Sequence, residues 1–184
     1  MPRVLIPLAE GFEELEAVTV IDLLRRADVE VVTAGLKAGP VRGSRGTVLV
    51  PDSTLEAEQG APFDMLVLPG GMPGAKHLDA DPRVHDLLRR HLAEDRFAAA
   101  ICAAPGILAR AGLLDGRCAT GYPGTLDPAQ LPRVRVLSDP VVVDGKVVTS
   151  RGPGTAMDFA LNLIELLVGA ERRNQVEAAL VRSA

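Results

Sequence analysis

Short apolar runs rich in β-branched residues alternate along the chain with segments of helical periodicity. This alternation predicts an α/β fold with a mostly parallel sheet between layers of helices, because strands buried on both faces are apolar throughout. The predicted strands are 4–8, 29–34, 65–68, 98–101 and 147–150. The predicted helices are 13–26, 82–94, 105–111, 155–167 and 172–180. Segments 43–50 and 141–148 are predicted to form hairpins added to the main sheet.

The composition indicates a single domain, predicted to span residues 1–184, with an aliphatic core. A chain of 184 residues can bury a core without disulfides or metals. Tryptophan is absent and aromatic residues make up only 3%, so aliphatic side chains must fill that core. The net charge of -4 and the lack of a dense basic segment argue against specific nucleic-acid recognition.

The N-terminal segment and the cysteine count favour a reducing compartment. The apolar run 4–8 meets acidic residues before it reaches the length of a signal-peptide core or a bilayer span. We therefore expect a cytoplasmic protein with no membrane segment. Because the chain has two cysteines in such a compartment, no disulfide between Cys102 and Cys118 is expected. Nothing in the sequence around Cys118 suggests activation, so it is interpreted as structural or incidental.

Cys102 lies where the apolar run 98–101 stops and Pro105 opens a helix. A side chain on such a tight strand-to-helix turn projects as in a nucleophile elbow, at the edge of the sheet where ligands bind. The positive end of the following helix is expected to lower the pKa of the thiol and favour the thiolate. From position alone, a buried and inert cysteine explains the residue equally well.

A pair of glycines supports the functional interpretation of Cys102. Gly70 and Gly71 directly follow the strand 65–68, and glycine lets backbone N–H groups approach a reacting oxygen closely. The amides of Gly71 and Ala103 are therefore predicted to form an oxyanion hole, with Gly70 as a candidate substrate or anion contact. A plain tight turn would explain the glycine pair about as well.

Three carboxyl groups lie at the start of the first helix, at Glu13, Glu14 and Glu16. Capping and interaction with the helix dipole would account for one or two of them. Leu15, Val18 and residues 21–23 are predicted to mark the buried side of this helix. Glu16 is close enough to the strand end to point into the same crevice as Cys102. A carboxyl desolvated beside a thiolate should stay protonated and act in proton transfer.

The remaining polar candidates give weaker signals. Arg45 and Arg151 stand in glycine-rich loops and are candidate anion or carbonyl contacts, although a surface turn explains Arg45 as well. The histidines all precede the Cys102 strand and share no helical face, so each is predicted to lie on the surface and no Cys–His dyad is expected. No His or Cys cluster has metal-ligand spacing, and no nucleotide-binding motif is present.

The motifs together resemble the DJ-one/ThiJ/PfpI superfamily, in particular its deglycase and YajL branch. The blocks that carry the resemblance are GFEELEAVTVIDLLRRA, SRGTVLVPD, FDMLVLPGGMPGAKHL, AAAICAAPGILARAGLL and VVTSRGPGTAMDFALNLIELL. They extend over residues 4–181. The resemblance implies a three-layer flavodoxin-like sandwich, a homodimer and no cofactor.

The resemblance also implies roles for the site residues. Cys102 would be the nucleophile, Glu16 its protonated partner, and Gly71 and Ala103 the amide donors. Tyr122 stands where members of the human type have a histidine near the cysteine, so it becomes a candidate substrate contact. Ala103 follows the nucleophile where PfpI-type proteases have a histidine, and proteolysis is therefore not expected.

Two functions follow as hypotheses. In the first, Cys102 adds to small α-oxoaldehydes such as methylglyoxal, or to their adducts with proteins and nucleotides, and Glu16 moves protons toward a hydroxy acid. In the second, the chain is a redox sensor or a redox-regulated chaperone whose cysteine is oxidised rather than turned over. The same thiol would serve both.

Overall fold

The computed structural model describes residues 1–182, and its elements follow the predicted alternation of strands and helices. The strands are β1 Arg3–Leu8, β2 Glu30–Gly35, β3 Val41–Arg42, β4 Val48–Leu49, β5 Ser53–Thr54, β6 Met65–Leu68, β7 Phe97–Ile101, β8 Cys118–Ala119, β9 Arg135–Val136, β10 Val141–Asp144 and β11 Val147–Ser150. The helices are α1 Glu14–Arg26, α2 Leu55–Glu58, α3 Gly74–Ala80, α4 Pro82–Ala93, α5 Pro105–Arg110, α6 Ala156–Val168 and α7 Ala170–Ala179. Residues 183 and 184 of the predicted domain lie outside the described residues.

The central sheet has seven strands in the order β10-β11-β7-β6-β1-β2-β5. Neighbours pair in parallel, except that β10 runs antiparallel to β11. The parallel strands therefore bring their carboxyl ends to one edge of the sheet. β1 ends there at Leu8, β6 at Leu68 and β7 at Ile101, so the loops that follow these three strands meet.

The two faces of the sheet carry separate hydrophobic clusters, because side chains alternate along each strand. In β1, Ile6 belongs to the cluster shared with α1 and α6, while Leu5 belongs to the cluster shared with α3, α4 and α5. Both clusters are mainly aliphatic, as the composition predicts. The predicted three-layer α/β/α architecture is confirmed.

One predicted hairpin has a different place in the fold. β3 and β4 pair with each other as a small antiparallel sheet and do not join the main sheet. The edge of β2 is instead occupied by β5, whose Ser53 pairs with Ala34. The second predicted hairpin, β10–β11, does extend the main sheet.

The buried face of α1 agrees with the prediction at Leu23, which is buried, but differs from it nearer the start of the helix. Glu16, Ala17 and Val20 are buried, whereas Leu15 is 53% exposed and Val18 is 42% exposed. The helix turns the stripe that contains Glu16 toward the sheet and α6, and this rotation leaves the two apolar side chains at the surface.

A second correction concerns His91, which lies in the core and not on the surface. It is only 1% exposed, and its Nδ1 bonds to the carbonyl oxygen of Leu87 at 2.9 Å. Because a carbonyl oxygen only accepts, Nδ1 carries the proton in this bond. Burial lowers the pKa of His91, so the ring is held neutral.

Within residues 1–182, no helix combines the length and apolar character needed to cross a membrane.

Candidate active site

Cys102 occupies the turn between β7 and α5 in a left-handed backbone conformation, with φ of +64°. This region is unfavourable for a residue with a Cβ atom, so surrounding contacts must hold it. The N–H of Cys102 donates to the oxygen of Ser150 at 2.9 Å, and its own carbonyl oxygen accepts from the N–H of Tyr122 at 2.8 Å. The predicted nucleophile-elbow position is therefore present.

Glu16 projects from the first turn of α1 into the same crevice and is fully buried. Its Oε2 accepts a hydrogen bond from the N–H of Gly70 at 2.8 Å. No nitrogen or oxygen donor reaches Oε1 from the described residues, and the carboxyl interacts with the thiol of Cys102. A Cβ atom built on Gly70 would lie 2.7 Å from Glu16 Oε2 and 2.8 Å from Cys102 Cβ. The carboxyl and the thiol thus flank the same glycine.

The Glu16 carboxyl titrates well above an ordinary glutamate. Burial raises its pKa to about 7, since removal from water disfavours the charged form more than the hydrogen bonds from Cys102 and Gly70 favour it. The direction of the predicted shift is confirmed. At neutral pH the carboxyl is therefore poised between its protonated and ionised forms.

The predicted lowering of the thiol pKa is wrong. Burial raises the pKa of Cys102 to about 12, and the charge and hydrogen bond of Glu16 raise it further than the amides of Ala103 and Gly71 lower it. The positive end of the following helix favours the thiolate, but desolvation of the buried sulfur outweighs it. The part of the increase that comes from Glu16 depends on that carboxyl being ionised. Once the carboxyl holds the proton and donates it to sulfur in a hydrogen bond, Glu16 favours the thiolate instead. The pair therefore loses the first of its two protons around pH 7, and above that pH it carries one proton that the two groups can exchange.

The amides of Gly71 and Ala103 both act on the Cys102 sulfur, from two different loops. Gly71 has φ of +89° and packs so closely on the β1–α1 loop that a Cβ atom would lie 2.3 Å from the nitrogen of Glu13. The N–H of Glu13 donates to the oxygen of Gly70 at 3.0 Å. These contacts fix the amide of Gly71 relative to α1 and hence to Glu16.

The remaining predicted contacts are less closely tied to this centre. Arg45 is exposed, and its backbone N–H donates to Glu14 Oε1 at 2.7 Å. Arg151 donates to the oxygen of Ser138 at 2.9 Å and lines, with Tyr122, a cavity of about 170 Å³. Tyr122 supports Cys102 through its backbone, and its side chain is 53% exposed. Among residues 1–182, no hydrogen bond or ion pair joins Arg45 or Arg151 to Cys102 or Glu16.

The site also contains residues that the sequence reasoning missed. Thr149 and Ser150 end the buried strand β11, and both are fully buried beside the Cys102 turn. Two hydroxyl residues that close an otherwise apolar strand at the functional edge of the sheet are a signal that could have identified them.

A cavity of about 700 Å³ lies elsewhere, at the carboxyl ends of β1 and β2. Its polar lining includes exposed Lys37 and His77, but it contains neither Cys102 nor Glu16. The described part of the chain holds no group of three or more His, Cys, Asp or Glu residues arranged to bind a metal ion. Reactive groups and amide donors converge at Cys102, which is therefore the candidate active site.

Comparison with known proteins decides the family. Residues 2–166 match the model of the DJ-1/PfpI family. The chain belongs to the DJ-1/PfpI family. This DJ-1/PfpI chain is 42% identical over 182 residues to the Parkinson disease protein 7 homolog of Danio rerio, an alignment that covers 97% of the chain and 96% of the relative.

Two further comparisons bear on function and fold. The Glutathione-independent glyoxalase DJR-1.2 of Caenorhabditis elegans is 35% identical over 173 residues, covering 94% of the chain and 91% of the relative. The crystal structure of Drosophila melanogaster DJ-1beta superposes with a TM-score of 0.93 at 40% identity, covering 100% of the chain and 99% of that structure. The DJ-1/PfpI chain therefore has the flavodoxin-like sandwich that the resemblance implied.

Proposed function

We propose that this DJ-1/PfpI protein converts small α-oxoaldehydes such as methylglyoxal into hydroxy acids such as lactate, using Cys102 and Glu16 without glutathione or another cofactor. The observation that carries the proposal is the buried Glu16 carboxyl, poised near neutral pH and interacting with the only thiol on the strained turn. The Caenorhabditis elegans relative named as a glutathione-independent glyoxalase supports the same reaction class.

The first step is addition of sulfur to the aldehyde. Ionised Glu16 takes the thiol proton as sulfur attacks the aldehyde carbon, so a C–S bond forms and the C=O π electrons move onto oxygen. The amides of Gly71 and Ala103, which already act on the sulfur, are placed to stabilise this alkoxide. Glu16 then returns the proton to the alkoxide, and a hemithioacetal results.

The second step is an internal redox exchange between the two substrate carbons. Glu16 removes the proton from the sulfur-bearing carbon and delivers it to the neighbouring carbonyl carbon, while the hydroxyl proton passes to the neighbouring oxygen. The first carbon is thereby oxidised to a thioester and the second is reduced to an alcohol, so no external oxidant or reductant is needed. Water then cleaves the C–S bond and releases lactate and the thiol.

The same chemistry extends to aldehydes already attached to an amine or a thiol, so glycated proteins and nucleotides are further proposed substrates. We place this activity in the cytoplasm, because both cysteines are free thiols. We also propose a homodimer. Val18 and Val50 are exposed and border the same surface cavity of about 240 Å³, and exposed apolar patches of this kind mark surfaces where another protein chain binds.

A redox sensor or redox-regulated chaperone is the second candidate, favoured by one observation. The Cys102 sulfur is adjoined by a carboxyl that is partly protonated at neutral pH and by two backbone amides. A sulfinate formed there by peroxide would accept hydrogen bonds from all three donors, and such bonds favour the oxidised form.

The deciding experiment is incubation of the wild-type chain with methylglyoxal in the absence of glutathione. We expect lactate to form in amounts that exceed the protein many times over. The enzymatic proposal is overturned if no lactate forms while the aldehyde is depleted only stoichiometrically. Sulfinate at Cys102 after mild peroxide treatment of such an inactive protein would then support the sensor.

The shared proton makes a prediction about pH. In wild type, alkylation of Cys102 by iodoacetamide should rise as the pair loses its first proton and level off above about pH 7, the pKa of Glu16. In Glu16→Gln the second proton-binding group is gone, so the rate should climb about tenfold per pH unit from pH ~7 to ~9 toward the high pKa of the buried thiol. Both rates are measured by mass spectrometry in a Cys118→Ser background, which removes the other thiol.

The contrast between the two profiles is the informative result, since Gln matches Glu in size and keeps an oxygen for the Gly70 amide. Profiles of identical shape in the two proteins would show that the carboxyl and the thiol do not share a proton.

A further inference from the structure

Thr149 is a fully buried residue of β11 whose hydroxyl oxygen is hydrogen-bonded to a neighbouring loop. Its Oγ1 accepts a hydrogen bond from the backbone N–H of Thr120 at 2.9 Å. Thr120 is itself fully buried, so without this acceptor its N–H would have no access to water. A buried and unpaired N–H is costly, and the bond therefore fixes the position of Thr120 relative to the strand.

The loop that Thr149 anchors holds the Cys102 turn. Only Gly121 separates Thr120 from Tyr122, whose N–H donates to the carbonyl oxygen of Cys102 at 2.8 Å. Gly121 is close as well, since a Cβ atom built there would lie 3.3 Å from the same oxygen. A shift of Thr120 would therefore also move Tyr122 and weaken the hydrogen bond that its N–H donates to the carbonyl oxygen of Cys102.

The neighbouring residue of the same strand holds the other side of Cys102. The oxygen of Ser150 accepts the Cys102 N–H at 2.9 Å. Successive residues of β11 thus control both backbone polar groups of the nucleophile, one directly and one through the 120–122 loop. This arrangement opposes relaxation of Cys102 from its φ of +64°.

From this chain of contacts we infer that Thr149 is a positioning residue for Cys102, and that its side-chain oxygen keeps the thiol aimed at Glu16 and at the two amide donors. Its effect on lactate formation rests on the proposed function, whereas its effect on the reactivity of the thiol does not. Misplacement of a reacting group by about 1 Å can cost up to a hundredfold in rate.

The test compares three variants with wild type in the Cys118→Ser background. Thr149→Val keeps the shape of the side chain and removes the acceptor, and Thr149→Ser restores the acceptor. Thr33→Val is the control, because Thr33 is also a buried strand threonine whose Oγ1 accepts a backbone N–H, that of Asp52 at 2.9 Å. Its hydroxyl also donates to Asp52 Oδ2 at 2.7 Å, so this variant loses more hydrogen bonds than Thr149→Val and is the stricter comparison. Thr33 lies on β2, away from Cys102.

We expect Thr149→Val to lower the plateau rate of Cys102 alkylation about tenfold without moving its midpoint. We expect kcat for lactate to fall by a similar factor with KM unchanged, Thr149→Ser to recover at least half of both rates, and Thr33→Val to change neither. A purely structural defect would have the opposite effect on alkylation, since local opening exposes the thiol and speeds the reaction.

Unchanged or faster alkylation in Thr149→Val overturns the inference, and so does an equal slowing in Thr33→Val. If Thr149→Val does not fold, Thr149→Ala, which removes the acceptor with less crowding, is judged by the same criteria. Slowed alkylation in a protein whose wild type makes no lactate would retain the positioning role and overturn the proposed function.

Discussion

Replacement of Cys102 by serine is expected to lower kcat for lactate formation from methylglyoxal by at least about a thousandfold. Serine keeps the size of the side chain and its place on the turn, but its hydroxyl is far less acidic than a thiol. Glu16, with a pKa of about 7, is too weak a base to ionise it. Loss of the nucleophile from a catalytic unit can cost up to about a millionfold in kcat.

The control for this prediction is the other cysteine. Cys118 is partly exposed on β8, and its backbone N–H donates to Asp144 Oδ2 at 2.8 Å, an interaction that serine retains. Cys118→Ser should therefore keep kcat within about twofold of wild type. If Cys102→Ser retains more than a tenth of wild-type lactate production while folding normally, sulfur is not the nucleophile and the proposed mechanism is wrong.

The strands of the sheet could be predicted from the sequence because a strand that is buried on both faces is a continuous run of apolar residues. The predicted strand 65–68 coincides with β6, and the strand 98–101 differs from β7 by a single residue. Because parallel strands end at the same edge of a sheet, the loops that follow β6 and β7 could be expected to meet, and they do meet at Cys102. The location of Glu16 could be predicted for the same reason, since it lies only eight residues (16 − 8) after Leu8, where the first strand ends.

Features that depend on how deeply a side chain is buried, or on contacts between distant parts of the chain, could not be predicted from the sequence. Leu15 and Val18 have the composition of a buried helix face, but the packing of α1 against α6 leaves them exposed. The pKa of Cys102 was assigned the wrong direction because the sequence shows the helix that follows it and not the burial around sulfur. The contact of Thr149 with Thr120 joins residues 29 positions apart, and no local pattern encodes it.

Replacement of Gly71 by alanine is expected to lower the free energy of unfolding by at least about 4 kcal/mol, the range reserved for severe packing or backbone conflicts. The new Cβ atom would lie 2.3 Å from the nitrogen of Glu13, 2.6 Å from the oxygen of Gly11 and 2.7 Å from the carbonyl carbon of Phe12. All three are backbone atoms of the loop that leads into α1, so no side-chain rotation relieves the clash. Relief requires the β1–α1 loop and the loop that carries Gly71 to move apart.

The size of that clash can be separated from the cost of the left-handed backbone by a matched variant. Gly169 has φ of +92°, close to the +89° of Gly71, but nothing lies within 4 Å of the Cβ atom built on it. Gly169→Ala should therefore lose only the backbone cost of about 1 to 3 kcal/mol in a urea unfolding experiment. The difference between the two variants measures how tightly the β1–α1 loop, which leads into the helix that carries Glu16, packs against the loop that carries the Gly71 amide. Equal losses would mean that this contact is looser than the structure shows, and the fixed distance between carboxyl, amide and thiol would lose its basis.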